Sequence, residues 1–224
     1  MRSLLLVFAV LVSNTADCQK DLTSEERTSR QNWRAWAVPV GIAASSTIDG
    51  EAREWALHTH SHKLDHLAHI VNPLGTAHVL VPTMASFYLG SLVAHRASAE
   101  SAAVKIAAAY AAADIVESAL KPVVGRQRPY VTGNSHRFQP LSANGDLHSF
   151  PSAHVAHITA IAEAVSMQSD SRSLAAFFSG LVALVGWDRV YEDQHWTSDV
   201  TATIALSAVV SRATVNWLES RLRP

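Results

Sequence analysis

Cysteine is nearly absent: Cys18 is the only one in 224 residues. Such a chain cannot rely on internal disulfides, so its stability must come from packing. An excess of one charge is also missing. Lys and Arg number 18 and Asp and Glu 19, a net charge of −1. No global basic field therefore points to nucleic acid or to an anionic membrane surface. Any attraction for an anion must be local. Charged residues make up only 17% against 48% hydrophobic, which excludes a disordered chain. Strand patterns are few, and internal repeats and low-complexity linkers are missing. The length suits one domain with a sizeable core.

What is present begins with a candidate signal peptide over residues 1–18. Arg2 supplies a short positive region, and Leu4 to Val12 forms an apolar run. That run is too short to span a bilayer, which needs roughly 20 residues. Ala16 and Cys18 put small residues at the positions expected for cleavage after Cys18; cleavage after Ala16 fits less well. Removal of this segment would leave residues 19–224 as a single, cysteine-free, exported domain, and a periplasmic location is expected. Thr23 and Glu26 resemble a capping box opening a short helix.

Helical patterns run over residues 52–71, 77–95, 99–120, 153–168, 171–187 and 195–221. Pro73-Leu74-Gly75 stops the first, and Lys121-Pro122 ends the Ala-rich third. Residues 123–150 carry scattered Gly, Pro and Asn and read as a loop. A loop this long inside a compact domain is often functional. The expected fold class is all-α, a helical bundle. Charged residues at mid-span are costly in lipid, and the segment 99–120 holds Lys105, Asp114 and Glu117. Buried core helices of a soluble domain are therefore expected over membrane spans, with membrane association as the alternative.

Three clusters interrupt this apolar background. In the first, Lys121, Arg126 and Arg128 follow directly on a helix end, just before Pro129. Cations there also suit the helix dipole. In the second, Phe150-Pro151-Ser152-Ala153-His154 leads a loop into a helix. The free N–H groups of a first helical turn suit an anion. In the third, His195 and Asp199 lie four residues apart, six and ten after Arg189. On one helix they would share a face, so the carboxylate could accept an imidazole N–H and leave the other nitrogen free as a nucleophile. Each cluster alone has a bland structural reading. Together they supply a nucleophile, an orienter, an acid, an anion nest and cations, the parts that phosphoryl transfer needs.

The clusters resemble the type 2 phosphatidic acid phosphatase (PAP2) superfamily, which includes bacterial class A acid phosphatases and vanadium haloperoxidases. That family's pattern is K-x6-R-P, then P-S-G-H, then S-R-x5-H-x3-D. Lys121, Arg128 and Pro129 match the first part; Pro151, Ser152 and His154 the second; Arg189, His195 and Asp199 the third. The run His195-Trp196-Thr197-Ser198-Asp199 looks most like the acid-phosphatase branch. Ala153 stands where the family has glycine, and Asp188 where it has serine. A backbone with φ > 0 at position 153 would strain alanine. Asp188 could pair with a site arginine and lower the local positive potential.

The resemblance implies a phosphatase acting on phosphate monoesters or lipid phosphates without a metal or other cofactor. Lys121, Arg128 and Arg189 would hold the phosphate oxygens, helped by Ser152 and the N–H of Ala153. His195 would attack phosphorus to give a phosphohistidine, steadied by Asp199. His154 would protonate the leaving group and then activate water. Expected partners are a phosphorylated small molecule or lipid, with membrane contact compatible and nucleic acid excluded. His58, His60, His62, His66 and His69 crowd one segment, but no further ligand completes a metal site by spacing. His148, His157 and Trp196 lie near the motifs and either shape the pocket or simply pack. Two rivals remain at this point: a haloperoxidase with vanadate in the same pocket, and a non-catalytic phosphate- or lipid-binding protein.

Overall fold

The computed structural model describes residues 39–222. The expected signal peptide and the Thr23–Glu26 cap lie outside the described residues. A helical segment at 39–47 leads into α1 (Asp49–Thr59) and α2 (His62–Val71). A 3-10 turn, Asn72–Gly75, then precedes α3 (Ala77–Val93) and α4 (Ala97–Val124). The connection from α4 to α5 (Ala153–Ser166) carries two short 3-10 turns, Pro129–Val131 and Gly145–Leu147, and one bridge between Arg126 and Phe138. The chain closes with α6 (Arg172–Tyr191) and α7 (Thr197–Leu222). The all-α expectation holds.

Three helices form the centre: α4, α5 and α7 pack on one another, with α6 laid on α5 and α3 on α4. The stripe of α4 that faces this centre is Ala103, Ile106, Tyr110, Ala113 and Glu117, all buried. These positions alternate by three and four, which keeps them on one face. Four residues further along the same stripe stands Lys121. The apolar seam thus delivers a lysine to the end of the bundle. On α7, Val200, Ile204, Ser207, Ser211 and Val215 are buried in the matching way. Alanine and serine at these seams let the backbones approach closely.

Pro122 sits in the last turn of α4, so the helix runs past it to Val124, further than its sequence suggests. Gly125 then turns the chain with φ +60°, and a Cβ there would lie 1.8 Å from the carbonyl oxygen of Gln139. Only glycine permits this turn.

Two expectations need correction. The helix read over 52–71 is two helices, broken at His60. Ser61 has an extended backbone and its hydroxyl accepts from the Leu64 N–H at 3.4 Å, so it caps α2. The segment 77–95 is not a buried core helix: only Leu80 and Ser91 of α3 are buried, while Val79, Val81, Phe87, Leu89, Leu92 and Val93 are exposed. A helix apolar on every side satisfies a core and a lipid phase equally well, so sequence hydrophobicity did not distinguish them. By length and composition, α6 could cross a membrane. So could the segments His62–Gly75 and Ala77–Val93 taken together, bent by 53° between them.

Candidate active site

The three clusters are brought to one end of the bundle by several elements. Lys121 comes from the end of α4, Arg128 from the long loop, and Ser152 and His154 from the start of α5. Arg189 lies in the last turn of α6, and His195 lies in the link to α7. The cations of Lys121, Arg128 and Arg189 all bear electrostatically on both His154 and His195. The residues expected to work together are therefore gathered at one place.

His195 is 5% exposed. Its Nδ1–H donates to the carbonyl of Ser149 at 2.5 Å, and no described residue bonds Nε2. Burial, followed by the charge of Arg128, holds its pKa well below the usual 6.5. It is neutral, with a fixed tautomer and a free lone pair on Nε2.

Asp199 does not take the part expected of it. His195 precedes α7, so the two residues do not share a helical face. Asp199 occupies the third position of α7 and reaches back to the Trp196 N–H at 3.0 Å, half of a capping box. The same oxygen accepts the Ser149 hydroxyl at 2.5 Å. Its other oxygen accepts from Arg126 Nη1 at 2.6 Å. Asp199 thus supports His195 at one remove, by fixing Ser149. Arg126 also donates to Asp49 at 2.9 Å, and Ser198 binds Asp49 through both N–H and hydroxyl. Arg126 is therefore a buried strut, not a phosphate ligand. Removing one partner from such a buried network leaves an uncompensated charge.

The expected anion nest falls at the start of α5. Ser152 precedes α5 but its hydroxyl makes no capping bond; it is buried without a partner. A buried hydroxyl left unpaired is costly, and a ligand oxygen would satisfy it. Ala153 begins α5 with negative φ, so alanine in the family's glycine position causes no strain. Its N–H faces the open end of the helix.

The cations carry different burdens. Lys121 Nζ lies 2.5 Å from Oε2 of buried Glu117, one turn earlier on α4. Arg189 Nε donates to Asp188 at 2.8 Å, and its Nη2 donates to the same oxygen. Among the described residues, Arg128 has no carboxylate partner; it donates to the side-chain oxygen of Gln194 at 2.9 Å. Burial lowers the Arg128 pKa from its usual value, without threatening its charge. Asp188 is the departure that matters here, since its carboxylate offsets part of the charge of Arg189.

His154 Nε2 lies 3.1 Å from the side-chain oxygen of Asn72. Burial, then Arg189, His157, Lys121 and Arg128, depress its pKa to about 3. Without an anion the ring is neutral. A bound phosphate ester brings negative charge beside these cations and favours the protonated form again.

The crowd of histidines before α3 does not gather into a ligand set. His62, His66 and His69 lie on the exposed side of α2, and His60 pairs with Asp65 at 2.9 Å. Among the described residues, one group has metal-like spacing: Asp114, Glu117 and His157, with ligand atoms within 4.8 Å of one another. Its donors are already engaged, Glu117 by Lys121 and Asp114 by His157. An ammonium on one of three ligands does not suit a cation. Trp196 is fully buried and donates to the Gln127 carbonyl at 2.8 Å, a packing role. His148 binds the Ser142 carbonyl at 2.9 Å within the loop.

A sequence model of the PAP2 superfamily matches residues 102–223. No curated protein sequence matches. Among solved structures, a transmembrane PAP2-type phosphatidylglycerolphosphate phosphatase from Bacillus subtilis is similar, with a TM-score of 0.60 and 19% identity. The similarity covers 99% of this chain and 96% of that one. With the matched segment spanning more than half of the sequence and all three clusters, the chain belongs to the PAP2 superfamily.

Proposed function

We propose that the protein is a membrane-associated phosphatase that removes the phosphate of a lipid or small-molecule monoester through a phosphohistidine. The observation that carries this reading is the pairing of an unengaged His195 Nε2 with three cations that bear on both histidines.

Lys121, Arg128 and Arg189 receive the phosphate oxygens, and the unpaired Ser152 hydroxyl and the Ala153 N–H add hydrogen bonds. The Nε2 lone pair attacks phosphorus while the bond to the leaving oxygen breaks. His154 gives its proton to that oxygen. The imidazolium formed at His195 keeps its Nδ1–H on the Ser149 carbonyl. In the second step His154 takes a proton from water, the resulting hydroxide attacks phosphorus, and the P–N bond breaks to return neutral His195. Charge that develops on the equatorial oxygens is met by the three cations, which supply what a metal would otherwise provide.

Membrane association is supported by the exposed apolar surface of α3 and by the neighbouring groove between α3 and α4. That groove has a volume of about 370 Å³ and is lined by Val81, Met84, Tyr88, Ala103, Val104 and Ala107. An apolar surface of this kind suits the acyl part of a lipid phosphate.

The test is release of inorganic phosphate from nitrophenyl phosphate and from phosphatidic acid in vesicles, with and without EDTA. The wild type should release phosphate undiminished by EDTA, and His195→Ala should release none. Phosphate binding without release would point to a non-catalytic protein. Peroxide-dependent halide oxidation with added vanadate, and no phosphate release, would point to a haloperoxidase.

A further inference from the structure

Behind His154 lies a set of polar contacts that the three motifs do not include. Gly75 approaches the ring so closely that a Cβ on it would lie 2.6 Å from His154 Cβ and 2.8 Å from Cδ2. The Cδ2–Nε2 edge of the ring therefore faces the Asn72–Gly75 turn, where the Asn72 side-chain oxygen meets Nε2 at 3.1 Å. No described residue bonds Nδ1. One turn along α5, buried His157 also meets the same 3-10 turn. Its Nδ1 lies 3.2 Å from the Gly75 carbonyl and its Nε2 2.8 Å from Asp114 on α4.

We propose that Asn72 is the positioning residue of the acid, fixing the Nε2 edge of His154 so that Nδ1 exchanges the proton with the leaving group, and that His157 and Asp114 clamp the turn that carries it. The inference rests on the phosphatase reading above and adds the residues that aim its acid. Among the described residues, the Asn72 side chain makes no hydrogen bond to the phosphate ligands or to His195, so its effect should pass through His154. Asn72 and Gly75 stand in the segment that reads from sequence only as a helix stop. The separation of 82 positions between Asn72 and His154 hides the contact from any spacing argument.

The experiment uses the full chain and two substrates that differ in need for an acid. Nitrophenolate leaves with little protonation; an alkoxide, as in glycerol phosphate, does not. Asn72→Ala should lower kcat on glycerol phosphate by about tenfold or more, with KM steady, and lower kcat on nitrophenyl phosphate far less. Asp114→Asn, at a half-exposed site, should show the same split to a smaller degree. In a His154→Ala background, Asn72→Ala should add nothing. Equal losses on both substrates, or a full additional loss in the His154→Ala background, would overturn the proposal. A wild type that hydrolyses neither of these substrates nor phosphatidic acid in vesicles would instead reject the phosphatase reading itself.

Discussion

The two histidines of the pocket are held in opposite ways. His195 is 5% exposed and rooted in a buried chain of Ser149, Asp199, Arg126 and Asp49, drawn from four separate parts of the sequence. His154 rests on a short turn through one contact to Asn72 and an unobstructed approach past Gly75. The difference fits the two tasks proposed for them. A nucleophile gains from a rigid aim and a fixed tautomer, whereas an acid that must later act as a base gains from a less sealed setting that substrate charge can retune. It also teaches where damage should appear: in folding on the nucleophile side, in chemistry alone on the acid side.

The largest expected effect breaks the acid side. His154→Ala should reduce kcat on alkyl phosphates by about 10²- to 10⁴-fold, the usual worth of general acid–base help. Its melting temperature should stay near that of the wild type. Steady-state kinetics with thermal unfolding checks both halves; an equal loss on nitrophenyl phosphate would remove the acid assignment.

Arg126→Ala addresses the other side. It leaves Asp49 and Asp199 buried without their cation, which costs about 3–5 kcal/mol. Unfolding should move to clearly lower temperature or denaturant. Unchanged stability would show that the strut does not hold the nucleophile.

The comparison sharpens with pH. His195 is neutral across the physiological range, and His154 with a pKa of about 3 is neutral as well before substrate binds. The proton for the leaving group must then arrive with a monoanionic ester. The profile of kcat/KM should fall as pH rises through the ester's second ionisation, about pH 6. It should show no separate acid limb from a free-enzyme histidine near its ordinary pKa. A histidine titrating near 6.5 in the free protein, assigned by NMR to either residue, would contradict this.

The smallest effect belongs to Asp188. Replacing it with serine frees Arg189 from the carboxylate on its Nε and Nη2. Inorganic phosphate should inhibit more tightly, by about tenfold or less. Weaker inhibition would mean that Asp188 serves to aim the guanidinium and not to temper its charge.

Much of this was legible in the sequence because the motifs are local. Lys121 with Arg128, Ser152 with His154, and Arg189 with His195 each sit within a short run, and helical periodicity placed most of the elements around them. The expected His195–Asp199 contact failed for a local reason. The four-residue rule presumes that both residues are helical, but Asp199 caps the helix that starts after Trp196. Other partners carry no spacing signal at all: Arg126 reaches Asp199 across 73 residues, and Ser198 reaches Asp49 across 149. The surface of α3 was misread because hydrophobicity reports a preference for leaving water and not the phase that receives the side chain.

The proposed mechanism turns on covalent phosphorylation of His195. Rapid acid-free quenching of the enzyme with a phosphate-radiolabelled monoester tests it most directly. A transient, base-stable and acid-labile label is expected on the peptide that carries His195, formed at least as fast as turnover and lost in His195→Ala. Turnover with no such label, or a label on another residue, would contradict it.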